Sequence, residues 1–113
     1  MDLLGKHRLL KLKRKNRGNI KLTKAIDKLI TDIINSDWKS KLELQDDRID
    51  ADLVHNDGFF FFDINIHRAM ILIIFDDKEA NIIWTGTHDE YERIFKNNKI
   101  VIETWLRNKG LIK

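Results

Sequence analysis

Neither cysteine nor proline occurs among the 113 residues of the chain. Without cysteine, no disulfide framework and no thiolate metal site can form. Without proline there is no cis-proline turn and no proline-rich linker. No apolar run approaches the roughly 20 residues that span a bilayer, and the opening residues lack a secretory apolar stretch. The missing cysteine also fits a reducing compartment. A cytoplasmic protein with no membrane partner is the expectation. No internal repeat or low-complexity segment divides the sequence, so residues 1–113 read as a single domain, long enough for an ordinary core.

What is present is charge, unevenly placed. The net charge is only +3, but "KHRLLKLKRKNR", Lys6 to Arg17, holds seven Lys/Arg and no acid. "ELQDDRIDADLVHND", Glu43 to Asp57, holds six acids and one Arg. Such asymmetry suggests one surface facing a polyanion and a separate acidic surface. The basic run can equally be the solvated face of a helix, and the acidic run a solvated loop.

His7 to Lys15 reads as a basic amphipathic helix with Leu9, Leu10 and Leu12 as its apolar content. "NRGN" breaks it, and Asn19 can cap the next helix. In that helix Leu22, Ala25, Ile26, Leu29, Ile30, Ile33 and Ile34 recur at helical spacing and form one apolar stripe. It ends near "NSDW", where Trp38 is expected to pack under the helix end. Asp2 to Leu4 is either a short edge strand or a disordered start.

The second half changes character. "DADLV" is a plausible strand and "HNDG" a turn. "FFFF" and "AMILIIF" are apolar on both faces and read as the buried centre of a sheet. "DDKE" turns the chain into "NIIWT". Links this short mean antiparallel hairpins. Tyr91, Ile94, Phe95, Ile102, Trp105 and Leu106 form the apolar face of a last helical segment, interrupted at Asn97-Asn98. The expected fold class is α+β: N-terminal helices, an antiparallel β-meander, then a C-terminal helix. The stripe from Leu22 to Ile34 should cover one sheet face, leaving the other to the C-terminal helix or to solvent.

The seam between strand and helix, "WTGTHDEYERI", carries the chemistry. "THDE" has the pattern of a capping box, in which Thr87 caps the helix and Glu90 reaches back. His88 then occupies the first helical position, with Tyr91 one turn later on the same side. Free amides at such an end favour an anion. An exposed His88 and a core Tyr91 are the plain alternative. Arg68, in "NIHRAM", stands at the mouth of the most apolar strand, where it can pair with Asp63 or Asp89 or grip a phosphate with a bidentate fork. His55, His67 and His88 lack ligand spacing and nothing matches HExxH, so neither a metal site nor another cofactor is expected.

These residues resemble the HigB-like branch of the RelE superfamily of toxins. Members typically show "VFNI-x-G-N-x-Y-R-L", followed at fixed spacing by "GTH-x-E-Y-D". Here "FFFFDINIHRAM" takes the first place and "GTHDEYERI" the second, with seventeen residues, 69 to 85, between Arg68 and Gly86. Phe61, Ile64 and His67 stand where the family often has Asn, Gly and Tyr, so Asn65, Arg68, His88 and Tyr91 are the residues that carry over. The resemblance implies the toxin of a type II toxin–antitoxin pair: an mRNA endonuclease, usually acting on the ribosome, silenced by an antitoxin with a helix-turn-helix domain.

RNA can be cut without metal because its own 2′-hydroxyl attacks phosphorus, given charge stabilisation and proton transfer. Arg68 is the expected charge stabiliser and His88 the general acid or base. Tyr91 either shares proton transfer or stacks on a base, and His67 is a second-rank proton-transfer residue. Asn65 orients a phosphate or the turn. Lys6, Arg8, Lys11, Arg14, Lys15 and Arg17 would follow RNA backbone. The rival readings are a non-catalytic RNA-binding or regulatory module and a metal-dependent nuclease.

Overall fold

The computed structural model describes every residue from Met1 to Lys113. In chain order the elements are β1 (Asp2–Leu4), α1 (Lys6–Lys15), α2 (Ile20–Asn35), α3 (Lys41–Asp47), β2 (Asp52–His55), β3 (Phe59–Ile64), β4 (His67–Ile74), β5 (Glu79–Thr87), α4 (His88–Phe95) and α5 (Lys99–Asn108). The fold is α+β, as expected: helices first, a mostly antiparallel sheet, and helices last. No helix is long and apolar enough to cross a membrane.

The sheet runs β1-β5-β4-β3-β2. Asp2–Leu4 proves to be an edge strand and lies parallel to β5, while the other pairs are antiparallel. Residues alternate between faces along a strand, so each strand feeds two cores. On one side Phe60, Phe62, Ile71, Ile73 and Ile82 meet Leu22, Ile26, Leu29 and Ile33 of α2. On the other Phe59, Phe61 and Met70 meet Tyr91 and Phe95 of α4 and Ile102 and Leu106 of α5. Both faces are therefore covered, and the C-terminal apolar pattern belongs to two helices broken at Asn97-Asn98. Asn98 restarts the chain by accepting hydrogen bonds from the Ile100 and Val101 amides.

The α2 helix shows how sequence becomes packing. The Asn19 side chain accepts a hydrogen bond from the Leu22 amide at 3.0 Å and caps the start. Alone, a helix of this length is marginal in water. Each fully buried Leu or Ile is worth roughly 1.5–3 kcal/mol, so the stripe docked on the sheet is what holds it. Trp38 is buried just past its end, and the indole Nε1 donates to Asp47 Oδ2 at 2.7 Å.

One segment departs from expectation. The acidic stretch after Trp38 is not a plain solvated loop, because it contains α3 and folds around a single arginine. Arg48 is only 8 % exposed. Its Nη1 donates to Asp32 Oδ2 at 3.1 Å and its Nη2 to Asp50 Oδ2 at 2.8 Å, with the guanidinium 5.6 Å from the Phe62 ring centre. Burial pushes the Asp32 carboxyl up, but hydrogen bonds from Lys28 and Arg48 outweigh it and hold it below its ordinary value. Asp50 also accepts the Asp63 amide at 2.9 Å, tying this network to the β3 end nearest the site.

Candidate functional site

The β3–β4 hairpin closes through Asn65 and Ile66, since Ile64 pairs with His67. Asn65 has φ 63, a left-handed conformation that Asn tolerates better than most residues, so the turn is its visible role. On the other side of β4, His67 pairs with Thr87 and Arg68 with Gly86. The motif spacing is thus the hairpin itself: it brings "HR" directly opposite "GT". Gly86 is needed there because a Cβ would lie 2.5 Å from the Trp84 ring.

Arg68 points to the face covered by α4. Its Nε donates to Asp63 Oδ1 at 3.0 Å, the residue directly across the β3–β4 ladder. Its Cζ lies 4.4 Å from the centre of the Tyr91 ring and 5.7 Å from that of Phe61. The cation is thereby fixed by a carboxylate on one side and by aromatic faces beneath. Neither Nη atom has an ion pair within the protein.

The capping box is present. Glu90 N donates to Thr87 Oγ1 at 3.0 Å, and Thr87 N donates to Glu90 Oε1 at 2.9 Å. The bond from the Thr87 amide holds the Glu90 carboxyl below its ordinary range. His88 N donates to the Ile66 carbonyl at 2.9 Å, fastening the helix start to the hairpin tip. These bonds correct one expectation: Thr87, His88 and Glu90 do not offer free amides to an anion, because the protein already occupies them. The His88 ring sits 5.7 Å from the Tyr91 ring, its side chain is 56 % exposed, and Nδ1 lies 4.0 Å from Glu92 Oε1.

Tyr91 takes the core position that was the plain alternative for it, and His67 lies away from Arg68. Tyr91 is 2 % exposed, its hydroxyl donates to Asn97 Oδ1 at 2.9 Å, and its ring meets Phe61 edge-on at 4.9 Å. Burial raises its pKa against the opposing charge of Arg68, so the phenol stays protonated at neutral pH. A ring packed this way cannot stack on a base; it is the surface on which Arg68 rests. His67, one residue from Arg68, points to the opposite face with Ile64 and Ala69 and is 4 % exposed. Burial lowers its pKa, with Glu90 opposing, and Nδ1 has no hydrogen-bond partner. It cannot share a phosphate with Arg68.

The basic run also divides. Lys13 is tied to Asp27 of α2 at 2.7 Å. Arg8, Lys11 and Lys15, spaced i, i+3 and i+7, line a cleft between α1 and the end of β5 that His67 also lines. Lys6, Arg14 and Arg17 are exposed and make no ion pair. No three His, Cys, Asp or Glu side chains converge into a group that could hold a metal ion. Asn97, which anchors the Tyr91 hydroxyl, was legible in the sequence only as a helix break.

The model of the HigB toxin family, described as the RelE-like toxic component of a toxin–antitoxin system, matches residues 22–94. The chain belongs to this family. No curated protein matches it. As a HigB-family toxin it has a cognate antitoxin as its partner. The matched stretch runs from α2 through α4 and includes Asp63, Arg68, His88 and Tyr91, while α1 and α5 of the toxin lie outside it.

Proposed function

We propose that this toxin is an endoribonuclease that cleaves mRNA on the ribosome, without a metal, and so stops translation until a helix-turn-helix antitoxin neutralises it. The observation that carries the reading is the guanidinium of Arg68, held at Nε by Asp63 and laid on the Tyr91 ring, with no ion pair at either Nη and with the half-exposed His88 against the same ring. Such a fork suits a phosphorane, whose equatorial oxygens gain charge as the 2′-oxygen attacks. The P–O bond to the 5′-oxygen then breaks, leaving a 2′,3′-cyclic phosphate and a 5′-hydroxyl.

His88 performs one of the two proton transfers, taking the 2′-hydroxyl proton or supplying the 5′-oxygen. Because His67 faces the other way, the second transfer falls to water or to a group of the ribosome. Such a sparse site explains a toxin that needs the ribosome to position its substrate. Tyr91 acts through Arg68, as a positioning residue. The exposed cations of α1 add sequence-independent attraction for RNA that weakens steeply with salt.

The test is induced expression of the chain and of Arg68→Ala and His88→Ala, with mRNA ends mapped in each culture. Growth arrest with new cuts inside translated messages, lost in either variant, is expected. Arrest without cuts would replace the nuclease with a non-catalytic RNA-binding module. Cleavage by purified protein on ribosomes that a chelator abolished would overturn the metal-independent mechanism.

A further inference from the structure

We propose that the cleft between α1 and the end of β5 is a second binding site, for a phosphoryl group, at the β5 edge of the sheet, where His67 lines it and Arg68 does not. The cleft measures about 540 Å³ and is lined by His7, Arg8, Lys11, Lys15, His67 and Glu90, among others. Three permanent cations thus face one carboxylate, and that carboxylate is occupied by the Thr87 amide. None of the three cations has an acidic partner within ion-pair distance, whereas Lys13 on the same helix does. Apart from Leu12 and Trp84 the walls are polar, so an apolar ligand would gain little. A tetrahedral anion with several acceptor oxygens can satisfy donors that converge from α1 and from β4.

His67 supplies the second, independent observation. An apolar side chain would fill its place in the core without leaving Nδ1 buried and unpaired. The imidazole has a reason to be there if its accessible edge meets a ligand in the cleft. The family match begins at Leu22, so the α1 wall lies outside it.

The phosphoryl group can come from a phosphodiester of an RNA strand or from free phosphate, and neither source requires cleavage at Arg68. The experiment uses the full chain carrying Arg68→Ala, which removes the cation that lies outside the cleft. It is titrated with inorganic phosphate and, separately, with an RNA pentanucleotide, and the His67 and His7 ring resonances are followed by NMR. Saturable shifts at both rings are expected. Adding Lys11→Ala and Lys15→Ala should weaken binding at least about tenfold, since charge-assisted hydrogen bonds are lost. Adding Lys6→Ala and Arg17→Ala, which removes the same charge away from the cleft, should weaken phosphate binding less than about threefold, since exposed charges act through screening solvent. A response to RNA alone assigns the site to a nucleic-acid strand, and a response to phosphate at comparable affinity assigns it to the free anion. Rings unmoved by both ligands, or equal weakening by the two double variants, would overturn the proposal. Because Arg68 is absent throughout, a failure of the nuclease reading leaves this result unchanged.

Discussion

The two faces of the sheet are built from different materials and serve different ends. Against α2 the contact is mainly aliphatic, with Leu and Ile on the helix meeting Ile, Ala and two Phe on the strands. Against α4 and α5 it is aromatic: Phe61 meets Tyr91, Phe95 and Trp84 at 4.9 to 6.2 Å between ring centres, and Phe95 meets Trp105 at 5.1 Å. Aliphatic chains interdigitate and secure a helix, but they offer no flat, electron-rich surface. Rings have few rotatable bonds and can carry a cation on their faces. Arg68 lies on the aromatic side, where it can be held rigid, and its neighbour His67 lies on the aliphatic side. Adjacent residues on one strand thus belong to two different surroundings.

The sharpest way to break this division is Phe61→Ala. It removes the ring at the centre of the aromatic cluster and should cost about 3–5 kcal/mol of stability in urea unfolding. Ile26→Val, on the α2 side, should cost only about 0.5–1.5 kcal/mol in the same assay. Equal losses would deny the aromatic face its special role. Next comes function: Arg68→Ala should lower message cleavage by roughly 10²–10³-fold, the scale of losing one transition-state donor. Its Tm should change little, because the Arg68–Asp63 pair is partly exposed. A large fall in Tm would make Arg68 structural.

Thr87→Ala tests the seam. Loss of the cap should cost about 1 kcal/mol of stability and also lower cleavage, because His88 is placed by the same turn. Cleavage at the wild-type rate would show that the cap does not position His88. The smallest effect concerns pH. His67 has its folded pKa below the ordinary 6.5, chiefly through burial. The folded state therefore binds protons less readily there than the unfolded chain does. Stability from this residue is complete above about pH 6.5 and declines as pH falls through that value toward the folded pKa. Replacement by Gln should flatten the fall in Tm between about pH 7 and pH 5, and an unchanged slope would assign the acid sensitivity elsewhere.

Much of this was legible because the physical signals were strong. The α2 stripe, the short hairpin links and the Thr87–Glu90 capping box each have one structural solution, and each formed. The α3 helix was missed because it buries only Leu44 and shows no periodicity, although Ser40 and Glu43 carry a start signal. The buried Arg48 was missed because its partners, Asp32 and Asp50, come from both sides of it in sequence and read as surface charge. At the site, chemistry alone offered Asp63 or Asp89 to Arg68, and the β3–β4 register, which sets Asp63 directly across from it, decides between them. The separation of His67 from Arg68 followed from strand alternation and could have been drawn. The burial of Tyr91 was the plain alternative there, but the bond from its hydroxyl to Asn97 was not legible, because it depends on how the chain turns between α4 and α5.

The direct pairing of Arg68 with Gly86 sets a rule for how this hairpin can change length in evolution. Residues added at its tip, around Asp76 to Lys78, leave every pair in register, so the interval between the two motifs can grow there without cost to the site. Within the arms the freedom is quantised. One residue lost from both strands would keep the partners opposite each other but turn the whole end over, sending Arg68 to the aliphatic side and His67 to the aromatic one. Only changes that remove or add residues two at a time in each arm preserve handedness. Relatives with other spacings should therefore differ at the tip, or by even steps in the arms, and an odd step should be accompanied by a compensating bulge such as the one already present at Ile83.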